Sequence, residues 1–492
     1  MARTLLNTSG FNTYSNPSKL KITDMRIAVL GHDNWRWPII KLYTNQGLIG
    51  LGEVRDGASA RYALMLKSRL LGENPCDVDR LFRSLTQFGG AGRLGGGVCG
   101  VEMALMDLAG KAWGVPCYML AGGKYRDRVK CYADTPARPD PEEMGNLLKD
   151  RMVSGYEFLK MDIGVQLAGV HEGGVVNNKN IQESAGIMHP FTGIQVTDYG
   201  IDKMCDYVAT VRDIVGYEVP IASDHFGHMG VENCIRIGKA LDKFTLAWYE
   251  DMIPWQFVDQ WQRLKASVDT PVCTGEDIYL KKGFEPLIEG RAVSIIHPDL
   301  ATSGGILETK RIADYAYEAG IAVALHQAGS PVVAMANVHC AAAIENFIAL
   351  EMHSTDIPWW DDLVTGLGGK MVQDGHVNVP DAPGLGIELN EEVLLAYNRR
   401  FYEATRKARE IILADGGATS LHFEFTEWSH KIREIEGKAD IKAVWLLANS
   451  THVIDLAFHL CGWPKDWQSW SSGSLDWHPA SAQFSGAGST AR

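Results

Sequence analysis

Residues 246–255 read LAWYEDMIPW. An apolar run with the look of a buried strand ends in two adjacent carboxylates, Glu250 and Asp251. A bare carboxylate taken out of water is strongly destabilising unless a partner offsets it. The neighbouring runs repeat the pattern. IASDHFGH ends on Asp224 and PVCTGEDIY carries Glu276.

These runs belong to a longer series. From about residue 128 the chain shows VKCYAD, YEFLKMDIG, VPIASDHF, LAWYED, PVCTGED, SIIHPDLA, IAVALHQ and FIALEMH. Most are separated by segments of helical character, such as FEPLIEGRA and LETKRIADYAYEAG. Strands alternating with helices predict a (β/α)8-type barrel over residues 128–375. A doubly wound sheet is the alternative, but no Gly-rich phosphate fingerprint follows the first strand. GGAGRLGGG at residues 89–97 lacks the GxGxxG spacing and a preceding strand, and reads as a flexible loop.

In a parallel barrel the carboxyl ends of the strands converge on one mouth, where such enzymes place their chemistry. Adjacent strands lie about 4.8 Å apart, so three carboxylates at one height would repel. A hard divalent cation with oxygen ligands relieves this, and Mg2+ also leaves positions open for substrate. Asp224, Glu250 and Glu276 are therefore predicted metal ligands; a single such acid would read as a salt bridge or helix cap. Asp251 and Asp277 read as supporting or helix-capping groups.

The later strands add an acid and a base. SIIHPDLATSGG places Asp299 at the end of the sixth strand, and IAVALHQAG places His326 on the seventh. A carboxylate beside an imidazole fixes its tautomer and raises its pKa, so His326 reads as a general base. Glu351 on strand eight either hydrogen-bonds a substrate oxygen or pairs with a cation. Lys160 and Asp162, two apart on strand two, share a face. Lys160 then meets a substrate carboxylate, acts in proton transfer, or simply pairs with Asp162. The set suggests abstraction of a proton next to a carboxylate, with a metal stabilising the resulting enediolate.

The flanking regions differ. MRIAVL and IIKLYTNQGLIGLGEV predict a small antiparallel sheet with a turn at Asn-Gln-Gly. VCGVEMALMDLAGKAWGVP, residues 98–116, has helical periodicity that stops at Gly-Val-Pro. Residues 1–127 thus read as an α+β domain. The long stretch between Gly164 and about Asp202 reads as an active-site insertion, or else as a surface excursion or oligomer contact.

Composition narrows the classes. With 46% apolar and 22% charged residues over 492 positions, a large folded core is feasible. A net charge of −13 without a long basic run argues against nonspecific nucleic-acid binding. The nine cysteines form no CxxC pair, as expected of reduced thiols in a cytoplasmic protein. The N-terminus lacks the features of a cleaved signal, and no apolar run approaches the roughly 18 residues needed to span a bilayer.

Over about residues 20–392 the sequence resembles the enolase superfamily, specifically its mandelate racemase subgroup. VEMALMDLAGKAWGVPCYMLAGGKYRDRVKCYAD resembles that family's entry into the barrel, GLIGLGEV its N-terminal capping domain, and DAPGLGIELN its C-terminal return. The resemblance implies a modified barrel under an α+β cap completed by about residues 376–395. It also implies Mg2+ on Asp224, Glu250 and Glu276, a His326–Asp299 dyad, and a homo-oligomer. Two departures stand out. The subgroup's second lysine on strand two is here Asp162, which disfavours two-base racemisation. The strand-three motif reads Asp224-His225-Phe226-Gly227-His228, with the histidine displaced by one position. That shift normally reverses its face. Strand-end twist can return His225 to the site as the acid for a leaving hydroxyl; a structural role is the alternative, and His228 a second candidate.

The activity this pattern implies is dehydration of an acid sugar, an aldonate or aldarate, to a 2-keto-3-deoxy acid. An epimerase, racemase or cycloisomerase would use the same chemistry, and a non-catalytic sugar-acid-binding protein is the reading from another class. Residues 31–38 and 55–57, including Trp35 and Arg36, are expected to line the site. Residues 396–492, with NRRFY and NSTHVIDL, resemble a truncated glucose–fructose oxidoreductase/inositol dehydrogenase-type segment. They form a predicted α/β appendage. That resemblance would nominate His452, but no nucleotide-binding domain precedes it and no redox role is expected.

Overall fold

The computed structural model describes residues 16–32, 35–95, 97–176, 194–224, 226, 229–353, 356–391, 403–416, 456–460, 462–472 and 481–489. The chain divides into two compact units, Met1–Asp356 with Val364–Glu388, and Ile357–Leu363 with Leu389–Arg492.

The first unit opens with a three-stranded antiparallel sheet, Ile22–His32, Trp35–Thr44 and Ile49–Glu53. The predicted turn is there: Gly47 takes φ +80°, a left-handed value that glycine adopts without penalty. The helix Val98–Trp113 is buried along nearly its whole length. It lies so close to the sheet that a Cβ on Gly52 would stand 1.9 Å from the Gly100 carbonyl oxygen. Buried Asp107 on this helix accepts from Leu51 N at 2.9 Å and from Leu385 N at 2.8 Å, tying the sheet to the returning C-terminal segment.

Eight strands follow: Arg128–Thr135, Leu159–Asp162, Ile221–Asp224, Tyr249–Glu250, Val272–Thr274, Ile295–Ile296, Ala322–Leu325 and Phe347–Met352. Each pairs in parallel with the next, and the last returns to the first through Leu350↔Cys131 and Glu351↔Tyr132. The barrel is closed. After strand six the chain forms Leu300–Ser303 and Gly305–Glu318, and after strand seven Pro331–Ala343, the helix behind His326.

One residue at or beside each strand fills an interior layer: Tyr132, Phe158, Ala222, Trp248, Cys273, Ile295, Ala324 and Ala349. Bulky Tyr132, Phe158 and Trp248 share this layer with small Ala222, Cys273, Ala324 and Ala349. Trp248 meets Phe158 at 5.0 Å and Tyr132 at 5.5 Å between ring centroids, both edge to face. Such pairs add about 1 kcal/mol each beyond their buried area. They make a rigid aromatic floor, and the polar residues of strands two, four, six and eight stand above it.

The long insertion is anchored by a short antiparallel ribbon, Val175–Val176 with Gln195–Val196, and leads into the helix Asp198–Val215. Residues 177–193 lie outside the described set. In the Gly-rich segment, Gly92 N donates to Asp277 O at 2.9 Å and Arg93 lies 3.5 Å from the Asp277 carboxylate, so this segment meets the barrel mouth. In the second unit, Glu403–Ala414 is helical and Trp463–Ser472 pairs with Ser481–Ser489. Among the described residues, no helix is long and apolar enough to cross a membrane.

Candidate active site

The predicted acids stand where strand geometry puts them. Asp224 and Glu250 are the last residues of strands three and four, and Glu276 follows strand five by two positions. Asp299 and His326 form an isolated parallel bridge just past strands six and seven. All five belong to the barrel mouth.

Lys160 is the central cation. It is buried, with Nζ 2.7 Å from Glu351 Oε1, 2.8 Å from Asp224 Oδ2 and 3.0 Å from Glu250 Oε1. Burial opposes its charge, but Asp224, Glu250 and Glu351 outweigh burial and hold its pKa well above the usual lysine value. Glu250 also accepts from Trp248 Nε1 at 2.8 Å, which seats it on the aromatic floor.

Glu276 turns the other way. Its Oε2 lies 2.9 Å from His326 Nε2 and its Oε1 3.3 Å from Arg55 Nη2. Burial would raise its pKa, but His326 and Arg55 pull it well below the usual carboxylate range. Asp251, held at φ +48°, accepts from Thr274 Oγ1 at 2.5 Å. Its pKa is raised well above the usual value by burial and by Glu276, Glu250 and Asp224. The carboxylates at the mouth outnumber the permanent cations Lys160 and Arg55. That excess of oxygen donors suits a hard divalent cation. Two sets of described side chains bring donor atoms within 4.8 Å of one another: Glu250, Cys273 and His297, and His326, Glu351 and His353. Asp224, Glu250 and Glu276 are not such a set, because Lys160 holds the first two while Glu276 faces His326.

The His326–Asp299 contact predicted from sequence is direct: Nδ1 stands 2.6 Å from Asp299 Oδ2. Burial would lower the imidazole pKa, but Glu276, Glu351 and Asp299 raise it well above the usual value against the opposing charge of Arg55. Glu351 is fully buried between Lys160, His297, His326 and His353; Lys160, His326 and His353 pull its pKa well below the usual value against burial. His225 and His228 lie outside the described residues, as does His452.

Arg55 was expected to line the site; His297 and His353 escaped the sequence reading. Arg55, from the loop after the capping sheet, is fully buried; it pairs with Asp299 and lies 2.8 Å from His326 Nδ1. His297 bridges Glu250 at 2.9 Å and Tyr132 OH at 2.6 Å. His353 stands 3.1 Å from Asp134 and 3.3 Å from Glu351. The two histidines had a signal. His297 is two before Asp299 and His353 two after Glu351, so each shares its acid's face. Of the capping residues, Trp35 lies edge-on to His353 at 5.7 Å and Trp37 Nε1 donates to Ala328 O at 3.0 Å.

A closed parallel barrel, acids at its carboxyl end and a capping sheet that sends an arginine into the mouth define a class of enzyme active sites. Comparison with known proteins gives the family. Residues 12–122 match the mandelate racemase / muconate lactonizing enzyme N-terminal domain, and residues 143–393 match the enolase C-terminal domain-like family. The chain is similar to D-xylonate dehydratase of Haloferax volcanii, 35% identical over 389 residues covering 77% of this chain and 89% of that protein. It is similar to D-galactonate dehydratase of Pectobacterium atrosepticum, 25% identical with coverages of 73% and 90%. Among solved structures, a mandelate racemase/muconate lactonizing enzyme-like protein from Rubrobacter xylanophilus matches with a TM-score of 0.68 and 31% identity, covering 77% of this chain and 97% of that one. The chain belongs to the mandelate racemase/muconate lactonizing enzyme family and is an enzyme of the enolase superfamily. The oxidoreductase resemblance of residues 396–492 gains no support from these comparisons; the family match ends at residue 393.

Proposed function

We propose that this enzyme is a Mg2+-dependent hydro-lyase of an acid sugar, an aldonate or aldarate, giving a 2-keto-3-deoxy acid. The observation that carries the reading is the buried His326–Asp299 pair, 2.6 Å apart, at the rim of a carboxylate cluster on a barrel mouth. Its nearest support among relatives is the similarity to proteins named for D-xylonate and D-galactonate dehydration.

Asp224, Glu250 and Glu276 would hold the Mg2+, which when bound supplies Lewis-acid stabilisation of the charge that builds on the substrate carboxylate. His326 Nε2 takes the proton from the carbon next to that carboxylate. Asp299 accepts from Nδ1–H, which keeps Nε2 as the basic nitrogen. In the described geometry Nε2 faces Glu276. With Glu276 turned to the ion alongside Asp224 and Glu250, Nε2 would be free of that partner and able to accept a proton. Lys160 neutralises the buried acids and Glu351 aligns a substrate oxygen. Trp35 and Trp37 close the mouth from the cap, which strengthens each charge interaction by excluding water. The α+β cap of residues 1–127 and the barrel of 128–375 divide these tasks, specificity to the first and chemistry to the second. A cytoplasmic homo-oligomer is part of the same reading.

The test is incubation with a panel of aldonates and aldarates in the presence of Mg2+, with semicarbazide trapping of product. A 2-keto product from at least one member is expected. Epimerised substrate without any keto product would refute dehydration and leave the superfamily chemistry in place.

A further inference from the structure

The eighth strand ends with a second imidazole that the roles above leave unused. His353 Nδ1 stands 3.1 Å from Asp134 Oδ2, on the first strand. Its Nε2 is buried and lies 3.3 Å from Glu351 Oε1, off the line of a hydrogen bond. The ring centroid is 5.8 Å from that of His326. Two Asp–His pairs, Asp299–His326 and Asp134–His353, therefore flank Glu351 at one mouth. A base and an acid that serve adjacent carbons of one substrate need this kind of spacing.

We propose that His353 is the general acid of this site, delivering the proton that lets the β-hydroxyl depart as water, with Asp134 as its positioning partner. The proposal rests on the dehydratase reading above. The C2–H bond breaks as its proton passes to His326 Nε2. The released electron pair is first held on the substrate carboxylate as an enediolate, then becomes the C2=C3 bond as the C3–O bond breaks. The departing oxygen takes the proton of His353 Nε2 and leaves as water. The enol then gains a proton at C3 and loses one from the C2 hydroxyl, giving the 2-keto-3-deoxy acid. His326 ends with one proton more and His353 with one fewer, and exchange with solvent restores both. Asp134 on Nδ1–H leaves Nε2–H as the proton to be given, the same logic that Asp299 imposes on its neighbour. Burial opposes a charge on His353, but Asp134 and Glu351 outweigh it and raise the ring's pKa above the usual value, which keeps the acid loaded.

The leaving group separates this role from a structural one. Wild type, His353→Asn, Asp134→Asn and His225→Asn are assayed with Mg2+ on the acid sugar found by the panel and on its 3-deoxy-3-fluoro analogue, with thermal melts to verify folding. Fluoride departs as an anion and makes less demand on an acid. The His353 variant is expected to lose about a hundred- to ten-thousandfold in dehydration yet to release fluoride within about tenfold of wild type. It should also still exchange the C2 proton with solvent. Asp134→Asn should show the same split at smaller size. Equal losses on both kinds of substrate, or undiminished dehydration, in a folded His353 variant overturn the proposal. So does a loss with fluoride rescue in the His225 variant alone. If His353→Asn does not fold, His353→Gln is held to the same criteria. Wild type that forms no 2-keto product from any aldonate or aldarate of the panel would instead refute the dehydratase reading itself, and this proposal with it.

Discussion

Acid should destabilise the cap–barrel junction through His339. His339 is buried in Pro331–Ala343, the helix that follows the strand of His326. Its Nδ1 accepts from Tyr118 N at 3.3 Å and its ring stacks on Tyr118 at 5.8 Å. Burial pushes its pKa from 6.5 down to about 4. The unfolded chain thus binds the proton first as pH falls. The contribution of neutral His339 is fully present above 6.5, is lost as pH falls toward 4, and amounts to about 3 kcal/mol. About 2 kcal/mol of it should be gone at about pH 5. Glu53 and Glu102 work in the opposite sense. Burial pushes them up to about 7 and about 8, so their contributions hold at low pH and are lost as pH rises through those values. The comparison of wild type with His339→Gln isolates the histidine. Urea unfolding at about pH 7.5 and about pH 5 should show a pH-dependent loss in wild type that is smaller by about 2 kcal/mol in the variant. An identical pH dependence in the two proteins would show that His339 is not the group responsible.

Other perturbations address the site. Lys160→Met leaves Asp224, Glu250 and Glu351 without their ammonium. Urea unfolding in the presence of a chelator should show a loss of about 3–5 kcal/mol, partly recovered by Mg2+. Arg55→Lys keeps the charge but loses the fork that reaches both Asp299 and Glu276; kcat/KM on the acid sugar found by the panel should drop about ten- to a hundredfold. Glu250→Gln should weaken Mg2+ binding by more than about tenfold in isothermal titration, with the aromatic floor intact by near-ultraviolet circular dichroism.

Much of this architecture was legible because a barrel strand carries a simple code. Short apolar runs with an acid at the carboxyl end give both the fold and the height of each functional group, as Asp224 and Glu250 show. The code is local, and it fails where a partner comes from far along the chain. Arg55 reaches Asp299 across 244 positions, and no spacing rule connects a loop of the cap to the sixth barrel strand. His297 and His353 were readable in principle through the two-residue repeat, but each sits beside an acid that drew the attention. The same limit applies to Glu276. Its position after strand five was predictable, yet its side-chain direction is decided by Arg55 and His326, charges that the linear sequence does not align. Residues 396–492 lack that strand code, and their reading rested on a resemblance alone.

In the proposed reaction the imidazole of His326 removes a proton from the carbon beside a substrate carboxylate. Proton NMR in D2O with Mg2+ and the acid sugar found by the panel tests it most directly. Wild type should consume the C2–H signal of the sugar and place one solvent deuterium at C3 of the 2-keto-3-deoxy product, while His326→Asn, still binding the sugar, should keep C2–H and place none. Deuterium entering at the wild-type rate in the variant would contradict the account.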